Sequence, residues 1–164
     1  VTDWFMEDME VDNCRGDGVA IDHSFRVGSG GTCKIHDNGR NGLWIHFTNQ
    51  GQWAGLRCYD NCRVADAGTA DGIRLNLLST DHTFIMPACY DSSAFGGNPE
   101  DLVLTGKLQG YGYREGPNEM VDRNNILGGF LKENLTGHLL MDRGRSVAFI
   151  MDDTILGHNN SGNA

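Results

Sequence analysis

The chain has 164 residues, 39% of them hydrophobic, with a formal net charge of −9 and 23 glycines. This length suits a single domain, and no run of about 18 apolar residues is present to cross a membrane as a helix. The acidic balance, without clustered Lys and Arg, argues against nucleic acid as the main partner.

Taken in chain order, residues 3–13 (Trp4, Phe5, Met6, Met9, Val11) read as a strand that enters a repeated pattern. The pattern is an aliphatic residue, a polar turn with Asp or Asn, then Asp/Asn-Gly, then aliphatic-x-aliphatic. It occurs over Val11–Asp22, over Ile35–His46, and over Val64–Asn76 with one residue inserted. Its glycines, Gly18, Gly42 and Gly72, are spaced 24 and 30 residues apart. A second short strand is predicted around Phe25 and Val27, before the turn Gly28-Ser29-Gly30-Gly31. A loop is predicted over Thr48–Gln52, a strand around Phe84-Ile85-Met86, and a long loop over Tyr90–Asp101. A fourth, weaker match runs from Val103 to Gly110, followed by Tyr111-Gly112-Tyr113-Arg114. Beyond it, Ile126–Leu131, His138–Met141 and Val147–Met151 read as further strands, at the end of the repeats or pairing between subunits.

Alternation over four to eight residues is the signature of a strand. A repeat of about 24 residues is too short for a strand-helix-strand unit, which needs roughly 30 or more. Repeats of this period indicate a stacked architecture, with strands about 4.8 Å apart. The Asp/Asn-Gly step fits a turn, because Gly accepts positive φ and Asn and Asp tolerate it. The chain starts at Val1 without Met or a signal-like stretch, and stacked repeats need capped ends. The expectation is a processed chain or a piece of a longer protein, with the piece preferred.

Five cysteines are present. Cys33 lies two residues before Ile35, and Cys62 two before Val64. In register they stack at a spacing inside the disulfide Cα window of about 4.4–6.8 Å. A Cys33–Cys62 bridge or an inward stack of reduced thiols follows. The odd cysteine count, and histidines without ligand spacing, lead to the expectation of no metal site and no cofactor.

Alternation also assigns faces. With Val19/Ile21, Leu43/Ile45 and Ile73/Leu75 inward, one outward column is Ala20, Trp44 and Arg74, and the next is Asp22, His46 and Asn76. The fourth repeat adds Gly112 to the first and Arg114 to the second. An outward Trp can pack on a sugar ring, and an Arg can pair with the carboxylate of an acidic glycan.

The repeat pattern resembles the right-handed parallel β-helix of pectin-lyase-like enzymes and bacteriophage tailspikes, over roughly residues 3–115. The resemblance implies an all-β, single-stranded right-handed parallel β-helix (solenoid), with coils over 1–116. A less regular C-terminal strand region over 117–164 would end the helix or serve oligomerisation. It also implies polysaccharide bound on the exterior face, by Trp44, Arg74, Asn76 and Arg114. The setting would be an extracellular or virion-surface protein of tailspike or fibre type, with a homotrimer as the expected assembly. The alternatives are a polysaccharide lyase or glycoside hydrolase using Asp22 and His46, and a purely structural spike or filament subunit. Ala70-Asp71-Gly72-Ile73 is only faintly similar to the Asn-Thr-Asp-Gly motif of polygalacturonases, whose other motifs are absent in order and spacing.

Overall fold

A computed structural model describes residues 2–66, 68–90, 109–116, 121–132, 134–141 and 146–149, and every regular element among them is a strand. No helix of the described residues is long and apolar enough to cross a membrane. The strands fall into three rows. The first holds β3 (Val19–Gly30), β5 (Leu43–Asn49), β8 (Ile73–Asn76), β11 (Tyr111–Glu115) and β14 (Gly137–Leu140). The second holds β1 (Thr2–Glu7), the far end of β3, β6 (Gln52–Ala54), β9 (Thr83–Ile85), β12 (Asn125–Leu127) and β15 (Val147–Phe149). The third holds β2 (Glu10–Asp12), β4 (Cys33–His36), β7 (Leu56–Tyr59), β10 (Ala88–Tyr90) and β13 (Phe130–Lys132). Pairing within each row is parallel throughout.

The expected single-stranded right-handed parallel β-helix is corrected by the sheet topology. The strands form two parallel sheets, one of ten strands and one of five, and the ten-stranded sheet unites the first and second rows. The physical reason lies in β3, whose 12 residues pair with β5 at one end and with β6 at the other. Two of its residues, His23 (φ 48) and Arg26 (φ 51), are left-handed and bend the strand without ending it. The sheet therefore curls around the corner instead of breaking there. The predicted loop over 48–52 is part of the same bend: β5 runs to Asn49, and β6 begins after Gln50 (φ 59) and Gly51.

The core lies between the rows. Leu43, Ile45, Ile73 and Leu75 are fully buried from the first row, Trp53, Phe84 and Ile126 from the second, and Ile35, Leu56, Cys58, Cys89 and Leu131 from the third. Complete burial of such side chains stabilises by about 1.5–3 kcal/mol each. Strands β12–β15 continue the rows, pairing with β9, β10, β11 and β12 of the same chain. The expected match over Val103–Gly110 and the loop over Tyr90–Asp101 lie largely outside the described residues.

The repeated glycines serve space rather than conformation. Gly18, Gly42 and Gly72 do not adopt positive φ. A Cβ on Gly42 would lie 2.7 Å from the Gly72 oxygen and 2.8 Å from Asn61 Nδ2. Those amides form a buried ladder. Asn38 Nδ2 donates to Asn61 Oδ1 (3.0 Å), Asn61 Nδ2 to Gln109 Oε1 (3.4 Å), and Gln109 Nε2 to Asn134 Oδ1. Beside it, Asp17 Oδ1 accepts from the Asn41 backbone N–H, Asn41 Oδ1 from that of Asp71, and Asp71 Oδ1 from that of Tyr111.

All five cysteines are free thiols. Cys33 sits opposite Leu56, and Cys62 lies beyond the end of β7, so the Cys33–Cys62 register behind a bridge does not form. The pair in register is Cys58 and Cys89.

Candidate functional site

The outer face of the first row carries the predicted columns. Ala20, Trp44 and Arg74 stand in register on β3, β5 and β8, and Asp22, His46 and Asn76 stand beside them. The fourth strand enters two residues later than expected. Tyr113 aligns with Ile73 and Glu115 with Leu75, so both face inward and are buried. Arg114 consequently extends the Trp44–Arg74 column rather than the Asp22–His46–Asn76 column.

His46 Nδ1 lies 2.7 Å from Asp22 Oδ1, across the β3–β5 pairing. His23 Nδ1 lies 2.7 Å from the same oxygen. Strict alternation would send His23 to the face opposite Asp22; the left-handed turn at His23 keeps both outside. That residue was not read from the sequence, because period-two alternation carries no sign of a bend inside a strand. The rings are packed: Trp44 stacks on His46 at 4.9 Å between centroids, and His23 on Phe47 at 4.7 Å. The hydrogen bond from His46, with smaller contributions from His23, holds the Asp22 carboxyl below its ordinary range against the opposing effect of desolvation. The donors of Asp22, His23 and His46 all lie within 4.8 Å of one another, a set able to meet a metal ion.

Above this cluster, Arg74 Nε donates to Asn76 Oδ1 (3.1 Å), and its Nη1 lies 3.5 Å from Asp71 Oδ2. Arg114 Nη1 lies 4.0 Å from that same oxygen, and Arg114 Nε is buried without a hydrogen-bond partner. Asp71 is buried beneath both guanidiniums. Burial pushes its carboxyl up to about 6, although Tyr111 N–H, Arg74 and Arg114 all pull the other way. Asp22 is thus the exposed carboxylate of these columns, and Asp71 acts from below.

His82 and His36 have other roles. His82 is fully buried; its Nε2–H donates to the Thr48 carbonyl and its Nδ1 accepts from Trp53 Nε1–H, which assigns the neutral tautomer. His36 has its two ring nitrogens against different carboxylates, Asp37 and Glu10. Burial opposes its protonation, but the two carboxylates together outweigh burial and raise it.

No family model matches the sequence, and neither a curated protein nor a solved structure matches it.

Proposed function

We propose that the outer face of the first row binds an acidic polysaccharide laid across β5, β8 and β11. The observation that carries this reading is the register of Trp44, Arg74 and Arg114 on successive strands, about 4.8 Å apart. Two guanidiniums face one buried carboxylate, leaving positive charge at the Arg74–Arg114 end of this face, away from Asp22. Guanidinium groups recognise carboxylates through paired hydrogen bonds. The half-buried Trp44 ring, held in place by its stack on His46, is the apolar surface offered to a sugar. Trp44→Ala is expected to abolish retention on immobilised acidic polysaccharide while the far-ultraviolet spectrum is unchanged. Arg74→Ala and Arg114→Ala are expected to weaken acidic glycans selectively over neutral ones. Unchanged retention in all three variants refutes the reading.

An extracellular or virion-surface homotrimer of spike or fibre type belongs to the same proposal. Its support is an apolar column on the outside of the second row. Ile85, Leu127 and Phe149 stand in register on β9, β12 and β15, and are 43%, 46% and 73% exposed.

A second reading, a lyase, is favoured by the Asp22–His46 contact. A carboxylate on Nδ1 orients the ring and leaves Nε2 to act as a base. His46 Nε2 would take the proton next to the uronate carboxylate, which Arg74 would neutralise, as a double bond forms, the neighbouring glycosidic C–O bond breaks, and the departing sugar oxygen takes a proton from water. Ultraviolet absorbance of unsaturated ends is the readout. Asp22→Asn is expected to lower the rate by about 10²-fold or more, the scale of acid–base catalysis. A bound polysaccharide that never yields unsaturated ends eliminates this reading.

A further inference from the structure

We infer that Asp22, His23 and His46 form a site for a divalent cation of the zinc class on the outer bend of β3 and β5. Two imidazoles direct Nδ1 at one carboxylate oxygen, each at 2.7 Å. Each of those contacts requires a proton on Nδ1. A metal ion takes the place of both protons, so that two imidazole lone pairs and one carboxylate meet a single cation. Zinc accepts this mixture of nitrogen and oxygen donors, whereas magnesium and calcium prefer oxygen alone.

Three further features mark the cluster as built. The donors come from two strands whose register is set by the sheet, Asp22 opposite His46. His23 reaches the site because its backbone is left-handed, φ 48, at the corner where Phe47 on the neighbouring strand is left-handed too. Both rings are oriented by parallel aromatic neighbours, Trp44 on His46 and Phe47 on His23, with interplanar angles of 12° and 8°. Locked rotamers of this kind are what a binding constellation needs. The Asp22 and His23 side chains are 50% and 67% exposed, so water can complete the coordination. Three protein ligands with an open position is the arrangement of zinc sites that take an exogenous ligand. His36 makes a contrast: its ring nitrogens point to separate carboxylates and do not converge.

The inference does not rest on the glycan-binding reading, whose sugar contacts are Trp44, Arg74 and Arg114, and it competes with the lyase reading, which takes Asp22 and His46 for acid–base work. Its test is calorimetric titration of ZnCl₂ into the EDTA-treated, dialysed full chain, with circular dichroism as the check on folding. His23→Asn is the decisive variant, because Asn tolerates the left-handed backbone. It is expected to weaken one zinc site by more than the roughly 100-fold that loss of an outer-shell partner costs. His46→Ala is expected to do the same, while His36→Ala leaves that site unchanged and MgCl₂ gives no saturable heat. Wild-type affinity retained in His23→Asn, or no saturable zinc binding by the wild-type chain, overturns the inference.

Discussion

Asp71 shows how one buried carboxylate ties stability to the outer face of the first row. Its folded pKa, about 6, stands above the ordinary 3.8. Below pH 3.8 the group is protonated in both states and costs nothing. As pH rises through about 6 the folded state gives up a proton the unfolded chain has already lost, so stability falls. A rise of about 2 pH units corresponds to about 3 kcal/mol. The attraction of Arg74 and Arg114 is already contained in that net value. His82 acts in the opposite direction: burial lowers it to about 4, so stability increases as pH rises from 4 towards 6.5. The two partly offset each other in the wild-type chain, and a difference measurement separates them. Asp71→Asn keeps an oxygen to accept the Tyr111 N–H. Its stability advantage over wild type is expected to grow by about 3 kcal/mol between pH 4 and pH 7, read from urea midpoints. A difference that does not change with pH removes Asp71 from the account.

At the scale of elements, the amide ladder and the glycines beside it form one device. Asn61 receives from Asn38, donates to Gln109, and also donates to the Ile35 carbonyl, inside a row of fully buried side chains. Gly42→Ala would push a methyl against Asn61 and against the Gly72 oxygen. Overpacking costs about 1–3 kcal/mol, and a buried polar group left unpaired a further 1–3 kcal/mol. Gly42→Ala is expected to lower unfolding free energy by at least about 2 kcal/mol. Gly16→Ala, with nothing within 4 Å of the added methyl, is expected to stay within about 0.5 kcal/mol. Equal urea midpoints for the two variants would discount the ladder. The repeat was legible because aliphatic-x-aliphatic after each glycine is a period-two pattern, and it placed Trp44, Arg74, Asp22, His46 and Asn76 in their columns. The reason for the glycines was hidden, since it depends on an amide arriving from the next strand. The bend in β3 was hidden as well, because left-handed residues there are His and Arg rather than Gly. His23 was lost with it, and so was the union of two rows into one sheet. The register of β11 slipped because the spacing between Ile73 and Tyr113 departs from that of the earlier repeats.

For the whole molecule, the outer faces differ in what they expose. The first row presents rings and cations, and the third carries a ladder of stacked aromatic rings, Tyr59 on Tyr90 at 5.0 Å and Tyr90 on Phe130 at 5.4 Å. Among the described residues, the second row presents the run of exposed aliphatic and aromatic side chains in register, Ile85, Leu127 and Phe149, with Met86 (58% exposed) beside Ile85. Contiguous apolar patches on a soluble surface mark contact sites, and burying Ile85, Leu127 and Phe149 between copies would recover the transfer energy that their exposure withholds. Leu127 is the central member, flanked in register by Ile85 and Phe149, so a charge there would be trapped against both neighbours. Light scattering on a sizing column is expected to give three times the 18.0 kDa chain mass for wild type and a monomer for Leu127→Asp. Leu135→Asp, 50% exposed and outside this column, is expected to keep the wild-type mass. A monomeric wild-type chain, or a Leu127→Asp variant of unchanged mass, separates the apolar column from assembly and leaves the glycan-binding face to be tested as that of a single chain.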